Sequence, residues 1–310
     1  MSIQSDSQII TSRPAVVVFG AINIDLLATA EHAAVADDST PGKLRRAAGG
    51  VGRNIAENLA RLDVNTRLVS VVGDDESGRQ MLTQTDTAGV DVSAVSVHPD
   101  LPTASYTAIH NHDGELLHAV SDMHIFDHFE LPAFETIEPA VAAADAIVLD
   151  ANLPERVLVA VAEACRGKFI VADTVSRGKC KRLDAVLSGV SLLKVNRAEA
   201  VALTGYAAES DDILLEELHK RGPSQVLLTA GSDGVVLSGA DGVHHVSVRP
   251  DTTVVSTSGA GDAMLSGVLA ALLYGADPSE QLRQGAVIAA ETVGVHSACA
   301  ESISRRLVTR

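Results

Sequence analysis

The stretch Ala15-Val16-Val17-Val18-Phe19-Gly20 is apolar throughout, and further short runs of the same kind recur along the chain. We predict strands at residues 15–20, 66–72, 146–149, 169–172, 191–195 and 225–229. Amphipathic segments that indicate helices lie between them, at residues 51–62, 155–165, 197–203 and 211–221. Strands that are apolar on both sides must be covered on both faces. The alternation therefore predicts an α/β fold with a mostly parallel central sheet and helices on both faces.

Two stretches interrupt this alternation. Residues 28–47 carry acidic residues, a Pro41-Gly42 turn and basic residues, whereas residues 93–125 contain short strand-like runs. In the second stretch, a turn at residues 111–114 joins two of these runs in a predicted β-hairpin. Because both stretches leave the core and return to it, we predict a small β-sheet lid (28–47 with 93–125) on a large α/β domain (1–27 with 48–92 and 126–310). The pattern fits a lid over a ligand and an insertion without function equally well.

The composition excludes several classes of partner. The chain has 310 residues and a net charge of −16, from 24 Lys and Arg against 40 Asp and Glu. Such a charge repels nucleic-acid polymers and anionic membrane surfaces, so we expect neither as a partner. An anionic small molecule would have to be held by local backbone N–H groups and a divalent cation.

The cysteines and the N-terminus indicate a cytoplasmic location. Cys165, Cys180 and Cys299 are widely spaced and odd in number, which argues against a disulfide framework and fits a reducing compartment. Residues 1–12 are polar and do not resemble an export signal. No uninterrupted apolar run reaches the length of about 18 residues that a membrane span needs.

The segment Thr257-Ser258-Gly259-Ala260-Gly261-Asp262-Ala263-Met264 carries the chemistry of a phosphoryl-transfer site. Its glycines let the backbone approach an anion, and the first N–H groups of a helix at about 260–274 would point at that anion. Asp262 would accept the proton of an incoming hydroxyl. Because that proton leaves late in a loose transition state, positioning matters more than basicity. The alternative is an ordinary helix N-terminus with an acidic residue in its first turn.

Two further segments fit a polyhydroxylated ligand. Residues 49–54, Gly-Gly-Val-Gly-Arg-Asn, open a helix, and Asn54 offers both a donor and an acceptor for hydroxyl groups. Asp25 follows the first strand at its C-terminal end, where ligands bind in open α/β sheets, and an ionised carboxylate can accept both O–H groups of a diol. Each segment also has a purely structural explanation, as a turn into a helix or as the end of a strand.

Two later segments fit the nucleotide side. Asn196 and Glu199 stand three residues apart at the start of a helix, so both share one face and suit Mg²⁺, which keeps most of its waters. The alternative is that they form only a capping box. Residues 229–234, Thr-Ala-Gly-Ser-Asp-Gly, could lie along phosphates through their N–H groups and hydroxyls, or could simply join two strands of a hairpin.

Taken together and in this order, these motifs resemble those of the ribokinase-like, or PfkB-type, carbohydrate kinases. They are Asn-Ile-Asp (23–25), Gly-Gly-x-Gly-x-Asn (49–54), Asn-x-x-Glu (196–199), Thr-x-Gly-x-x-Gly (229–234) and Gly-Ala-Gly-Asp (259–262). The resemblance covers residues 15–300. It implies a large α/β domain with a small β lid, ATP as phosphoryl donor, Mg²⁺ as required metal and a primary sugar hydroxyl as acceptor.

Within the family, the chain is similar to the members that phosphorylate pseudouridine. The similar residues include Pro41-Gly42-Lys43, 49–60, Leu82-Thr83-Gln84-Thr85, Ser121-Asp122-Met123, Val175-Ser176, Lys179-Cys180 and 193–199. This similarity implies transfer from ATP to the 5′-hydroxyl of pseudouridine, giving pseudouridine 5′-phosphate and ADP. The alternatives are a ribokinase-like kinase for another nucleoside or sugar, such as ribose, adenosine or inosine, and a non-catalytic nucleoside- or sugar-binding module.

The resemblance also implies roles for single residues. Asp262 matches the catalytic base, and the residues matching the anion hole are Gly259, Ala260 and Gly261. The residues that match ribose-holding positions are Asn23, Asp25, Gly49, Gly50 and Asn54. Asn152 matches a polar substrate contact, Asp122 a lid contact to the base, and Lys179 a charge near the acceptor or the phosphates. On the nucleotide side the matching residues are Asn196, Glu199, Thr229, Gly231 and Gly234, with Glu199 binding Mg²⁺ through water.

The chain departs from the family at Ser256, six residues before Asp262. Many relatives carry an aspartate there that helps to bind a monovalent cation, so the resemblance does not imply activation by potassium. A lid with an exposed sheet face can pair with its copy about a two-fold axis. Together with the family resemblance, this predicts a homodimer formed through the lid.

Overall fold

The computed structural model describes residues 13–33, 38–132, 134–206, 210–247 and 254–308. The polar N-terminal residues 1–12, which entered the prediction of location, lie outside this range. The strands are β1 (Ala15–Phe19), β2 (Asn23–Ala30), β3 (Gly42–Gly49), β4 (Asn65–Gly73), β5 (Asp91–His98), β6 (Ser105–His110), β7 (Leu116–Asp122), β8 (Ala146–Asp150), β9 (Phe169–Asp173), β10 (Leu192–Asn196), β11 (Gln225–Thr229), β12 (Val235–Gly239) and β13 (Gly242–Val246). The α-helices are α1 (Val51–Arg61), α2 (Glu76–Thr87), α3 (His124–Asp127), α4 (Phe134–Ala143), α5 (Glu155–Ala164), α6 (Arg197–Thr204), α7 (Asp211–Lys220), α8 (Ala260–Leu273) and α9 (Pro278–Val293).

The large sheet has the strand order β13-β12-β11-β10-β9-β8-β1-β4-β5 among the described residues. Neighbouring strands from β11 through β5 run parallel, and β12 and β13 are added antiparallel at one edge. The structure thus confirms the predicted α/β fold with a mostly parallel sheet. All six strands predicted for this sheet are present, with ends that differ by at most one residue.

Side chains of β1 show how the sheet is covered on both faces. Val17 and Phe19 pack into one apolar cluster, whereas Val16 and Val18 pack into the other. Successive side chains of a strand point to opposite faces, so an entirely apolar strand needs a layer of helices on each side. One layer contains α4 to α7, and the other contains α1, α2, α8 and α9. Within the described ranges, no helix has both the length and the apolar character required to cross a membrane.

A second, separate sheet has the order β3-β2-β6-β7. Its strands β6 and β7 form the predicted antiparallel hairpin. The first two strands extend beyond the predicted lid segment 28–47 at both ends, because β2 starts at Asn23 and β3 reaches Gly49. Residues 93–98, which the sequence assigned to the lid, belong to β5 and pair with β4 in the large sheet. The division of the chain into a large domain and a lid remains a prediction.

Candidate active site

The first turns of α1 and α8 meet at the carboxylate of Asp262. Asn54, in α1, donates a hydrogen bond from Nδ2 to Asp262 Oδ2 at 2.8 Å. Both residues are buried, with 5% of Asn54 and 7% of Asp262 exposed. The two motifs that carried the prediction therefore converge in space. Asn54 contacts the predicted base directly, whereas the sequence assigned it only to a ligand hydroxyl.

The surroundings of Asp262 are strongly charged. Lys194 of β10 forms an ion pair with Asp173, with 3.1 Å between Nζ and Oδ2. The pKa of Asp262 is raised to about 7 by burial and by the charge of Asp173, against the opposing effects of Lys194 and Asn54. The pKa of Lys194 is also raised, because Asp173, Asp262 and Glu199 outweigh the cost of burying its charge. A carboxylate with a pKa near 7 can exchange a proton at neutral pH.

The backbone before Asp262 has the conformation that an anion hole requires. Gly259 precedes α8 in a left-handed conformation with φ of 78°, and a β-carbon there would overlap the carbonyl of Ala298. Ala260 and Gly261 then form the first residues of α8, whose leading N–H groups have no carbonyl partner within the helix. The Ala260 N–H, which the sequence assigned to the anion hole, donates to the carbonyl of Thr257 at 3.3 Å, so the donors that face an anion are the N–H groups of Gly261 and Asp262. Gly261 lies against Lys194, since a β-carbon at Gly261 would stand 3.0 Å from Nζ. Backbone donors and an ammonium group thus lie side by side.

Asp25 lies at the start of the second sheet beside two other predicted ribose contacts. Asn23 donates from Nδ2 to Asp25 Oδ1 at 2.7 Å. A β-carbon on Gly49 would overlap the Asp25 carboxylate, so glycine allows this carboxylate to lie against β3. Gly50 follows with φ of 97° and leads into α1. Burial raises the pKa of Asp25, although Asn23, Arg53 and Arg45 act in the opposite direction.

Asn152 and Lys179 form a second polar pair, just beyond the end of β8. Lys179 Nζ donates to Asn152 Oδ1 at 2.5 Å. Asn152 is in turn held by Asp150, which accepts from the Asn152 amide and backbone N–H through Oδ1. The other Asp150 oxygen, Oδ2, accepts from the N–H groups of Ala21 and Gly52 at 2.8 Å each. Asp150 therefore ties the end of β8 to the turn that opens α1.

Asp122 is the predicted site residue that the structure leaves apart from the others. It ends β7, its side chain is exposed, and Oδ1 accepts from the N–H of His124 at 3.2 Å. Among the described residues, it has no hydrogen bond to another predicted site residue. Asp122 pairs with Ser105, which pairs with Ile24, so the side chain of Asp122 points to the face of the second sheet opposite that of Asp25.

A cavity of about 830 Å³ extends from the start of α8 toward α9. Its polar lining includes Asn196, Thr229, Gly231 and Gly261. The apolar part of the lining consists of Val235, Val246, Val254, Met264, Ala286, Ala289, Ala290 and Val293. Gly234 is not among the lining residues; its φ of 104° shapes the turn between β11 and β12. A cavity of this size with both polar and apolar lining suits a nucleotide, whose phosphates and base make these opposite demands.

Asn196 and Glu199 form the capping box that the sequence analysis gave as the structural alternative. Asn196 Oδ1 accepts from Glu199 N, and Glu199 Oε2 accepts from Asn196 N, both at 2.9 Å. Thr174 also donates to Glu199 Oε2, at 2.5 Å, which leaves Oε1 to accept from a ligand or a water. The described residues contain no group of three or more His, Cys, Asp or Glu side chains that could hold a metal ion by themselves. This arrangement fits Mg²⁺ bound through phosphates and water.

Lys194, Asp173 and the apolar lining of the cavity were not predicted from the sequence. Lys194 gave a signal, because a lysine in the middle of the apolar run Leu192-Leu193-Lys194-Val195 must either be exposed or be paired with a carboxylate. Asp173 follows an apolar strand, as Asp150 does, so its position at the carboxyl edge was readable. The alanines of α9 gave no signal in the sequence, since alanines at such positions are also typical of helices that only pack against their neighbours.

Comparisons with known proteins agree with this geometry. A model of the "pfkB family carbohydrate kinase" matches residues 13–305. A protein named pseudouridine kinase, from Escherichia coli strain K12, is 34% identical over 271 residues, which cover 86% of this chain and 87% of that protein. Among solved structures, a carbohydrate kinase from Agrobacterium tumefaciens has a TM-score of 0.82 at 34% identity, covering 95% of each chain. An Arabidopsis thaliana ribokinase complexed with ribose and ATP has a TM-score of 0.83 at 24% identity, covering 96% of this chain and 98% of its own.

Proposed function

The chain belongs to the pfkB family of carbohydrate kinases, and from that membership we propose that it transfers a phosphoryl group from ATP to the 5′-hydroxyl of pseudouridine. The products are pseudouridine 5′-phosphate and ADP. Its relatives are phosphotransferases that act on hydroxyl groups, so the reaction class follows from the family. The identity of the acceptor is the proposed part. It is supported by the 34% identity to the bacterial pseudouridine kinase over most of both chains.

The single observation that supports the site best is the contact between Asn54 and Asp262. This contact joins α1, which follows the glycine turn beside Asp25, to α8, whose N-terminus borders the large cavity. An acceptor hydroxyl bound near Asp25 and a phosphate bound at α8 would then meet at Asp262. Phosphoryl transfer depends mainly on such positioning and on neutralisation of charge.

In the proposed reaction, the 5′-oxygen attacks the terminal phosphorus of ATP in line with the bond to the bridging oxygen. The new P–O bond forms while the bond to ADP breaks, and the hydroxyl proton passes to Asp262. The N–H groups at Gly261 and Asp262, with Lys194 beside them, would stabilise charge on the transferred group. Asp25 and Asn23 would hold the ribose hydroxyls, with Asp25 accepting from two O–H groups.

Asn196 and Glu199 would hold Mg²⁺ through its water ligands, while Thr229 and Gly231 would lie along the phosphates. Bound to the nucleotide, Mg²⁺ neutralises part of the phosphate charge, which a protein of net charge −16 cannot do through its overall field. The adenine would bind against the apolar side chains that line the cavity. We further propose that the second sheet acts as a lid, because closure over the acceptor excludes the water that would otherwise hydrolyse ATP.

A coupled assay of ADP release over a panel of acceptors tests this function. The informative pair is pseudouridine and uridine, which share the ribose and differ in the atom that joins it to the base. We expect pseudouridine to give the highest kcat/KM, with phosphate on the 5′-oxygen by mass spectrometry and NMR. A preference for ribose, adenosine or inosine would show that pseudouridine is not the acceptor, while the chain would still be a kinase. Absence of ADP release with every acceptor would reject the reaction.

A further inference from the structure

Arg53 is a buried arginine for which the proposed reaction has no direct use. Only 3% of the residue is exposed. Its Nη1 donates to Glu57 Oε2 at 2.6 Å, and its Nη2 donates to Asn54 Oδ1 at 2.6 Å. Burying a charged group is costly unless it is paired, and here Nη1 and Nη2 are paired whereas the buried Nε has no hydrogen-bond partner among the described residues.

Arg53 stands in a continuous line of hydrogen bonds that ends at Asp262. At the outer end, Arg61 donates to Glu57 Oε1 from Nη2 at 2.8 Å and from Nε at 3.0 Å. Glu57 then accepts from Arg53, which donates to Asn54. Asn54 finally donates to Asp262. The i and i+4 spacing of residues 53, 57 and 61 places the outer part of this line along one face of α1.

The chemistry of these groups allows Asn54 only one useful orientation. A guanidinium can donate hydrogen bonds but cannot accept them, and an ionised carboxylate can accept but cannot donate. The amide of Asn54 lies between one group of each kind. Its oxygen must therefore face Arg53, and its NH₂ group must face Asp262. The reversed amide would set donor against donor and oxygen against carboxylate.

We propose that Arg53 is a positioning residue for the phosphoryl-transfer reaction, acting through Asn54 to hold the Asp262 carboxylate ionised and aimed at the acceptor hydroxyl. The inference rests on the proposed role of Asp262 as the proton acceptor. It adds a residue that the sequence motifs did not assign to the site. It also explains the buried ladder on α1, which would otherwise be a costly way to stabilise a helix.

The proposal predicts a specific defect when Arg53 is removed. Without its guanidinium, the Asn54 amide can rotate, and the hydrogen bond that favours the charged form of Asp262 is weakened. The pKa of a carboxyl group rises when it loses such a donor. We expect R53M to lower kcat/KM about tenfold at pH 7 and to move the acid limb of the rate profile upward by about one pH unit.

Arg61 supplies a matched control. R61M removes the other arginine of Glu57 but leaves both hydrogen bonds of Arg53 in place. We expect R61M to keep the wild-type acid limb even if its unfolding midpoint falls. In R53M, Glu57 still has Arg61 as a partner, so no buried carboxylate is left unpaired. R53K keeps the positive charge but carries all its donors on one nitrogen, so it should shift the acid limb by less than R53M does. If R53M does not fold, the pH profile of R53K tests the proposal.

A double-mutant cycle tests whether Arg53 acts through Asn54. N54A removes the donor to Asp262 altogether, so R53M/N54A should be no slower than N54A alone. Additive losses in kcat/KM would overturn the proposal, as would an R53M or R53K acid limb that matches that of R61M. D262N, measured in the same series, separates the two levels. If D262N turns over normally, the proposed base is wrong; if D262N is inactive while R53M behaves as R61M does, only the inference about Arg53 fails.

Discussion

Asn54 Nδ2 lies 2.8 Å from Asp262 Oδ2, although 208 residues separate the two in the chain. The contact joins the first turn of α1 to the first turn of α8 and fixes the Asp262 side chain. If Asp262 accepts the proton of the acceptor, D262N should keep nucleoside binding and lose about 10²–10⁴-fold in kcat. Binding is measured by calorimetry and turnover by ADP release. The exposed Asp241, on the turn between β12 and β13, gives the control D241N, and equal turnover in both variants would remove Asp262 from this role.

The same substitution should stabilise the fold at neutral and alkaline pH. Here the described residues bury the carboxylates of Asp173, Glu199 and Asp262 around Lys194, and Asp150 adds a further negative charge that acts on Asp262, so negative charge is in excess. The folded pKa of Asp262 lies above its unfolded value of 3.8, so its contribution to stability is present at low pH and is lost as pH rises through about 7. D262N removes the charge and should raise the free energy of unfolding by about 1–3 kcal/mol at pH 8.

Asp150 provides the opposite case for the same measurement. It too is a buried aspartate whose pKa burial raises, but its two oxygens accept from the N–H groups of Ala21, Gly52 and Asn152. An asparagine at position 150 has only one acceptor oxygen, so D150N should lower the free energy of unfolding by about 2–4 kcal/mol. Thermal unfolding at pH 5 and pH 8 compares the two variants. The increase in the free energy of unfolding caused by D262N should be smaller at pH 5 than at pH 8. If D262N instead lowers the free energy of unfolding at both pH values, the charge argument is contradicted.

The pKa of Asp262 also predicts how the rate depends on pH. Burial raises this pKa to about 7 in the free enzyme, and the proposed mechanism needs the ionised form. With both substrates below their KM values and Mg²⁺ in excess, kcat/KM should therefore fall about tenfold per pH unit below about pH 7. A rate that stays constant down to pH 5 would mean that Asp262 keeps an ordinary pKa or is not the base.

The sequence predicted which segments come together where a motif has a backbone requirement, and it missed contacts that depend on pairing across strands. The segments 23–25, 49–54 and 259–262 were readable because glycines and an aspartate at fixed spacing stand at the ends of predicted elements. The large sheet was predicted from its short apolar runs, because strands that are apolar on both sides must be covered on both faces. In contrast, the ion pair between Lys194 and Asp173 depends on β9 lying next to β10, which no local pattern states.

The boundary of the lid was misread for a related reason. Residues 93–98 are polar and apolar in turn, which is typical of a half-exposed strand in either sheet. They pair with β4 at the edge of the large sheet, where one side remains open to solvent. The orientation of Asn54 was equally hidden, since it follows from Arg53 on one side and Asp262 on the other. Local patterns show what a residue can do, and its neighbours in space decide what it does.

Gly261 should be sensitive to the smallest substitution. A β-carbon at this position would stand 3.0 Å from Lys194 Nζ and 3.1 Å from its Cε, so G261A must displace the ammonium by a few tenths of an ångström. Because catalysis depends on placing charge accurately, we expect kcat to fall at least about tenfold with little change in the unfolding midpoint. Gly189 has no atom within 4 Å of its would-be β-carbon, so G189A is the control. Equal rates would show that the position of Lys194 does not matter.

The lid offers a surface for a second copy of the chain. Leu44, Ile109 and Val120 are 62%, 44% and 68% exposed, and the strand register sets all three on one face of the second sheet. Asp25 lies on the other face, because side chains alternate along β2. An apolar face of this kind on a short four-stranded sheet is typical of an interface. We therefore expect a homodimer with twice the 32.2 kDa mass of the chain.

Introducing a charge on this surface tests the dimer. V120K places an ammonium group on the exposed apolar face at strand β7, where pairing would bury it, so sedimentation should shift from dimer to monomer at micromolar concentration. V243K makes the same substitution at an exposed valine of β13, where Val243 is 49% exposed, and should leave the sedimenting mass that of the dimer. If the wild-type protein sediments as a monomer, or if V120K and V243K behave alike, the lid surface is not the interface. If the second sheet covers the acceptor as proposed, loss of the dimer should raise KM for the nucleoside more than it lowers kcat.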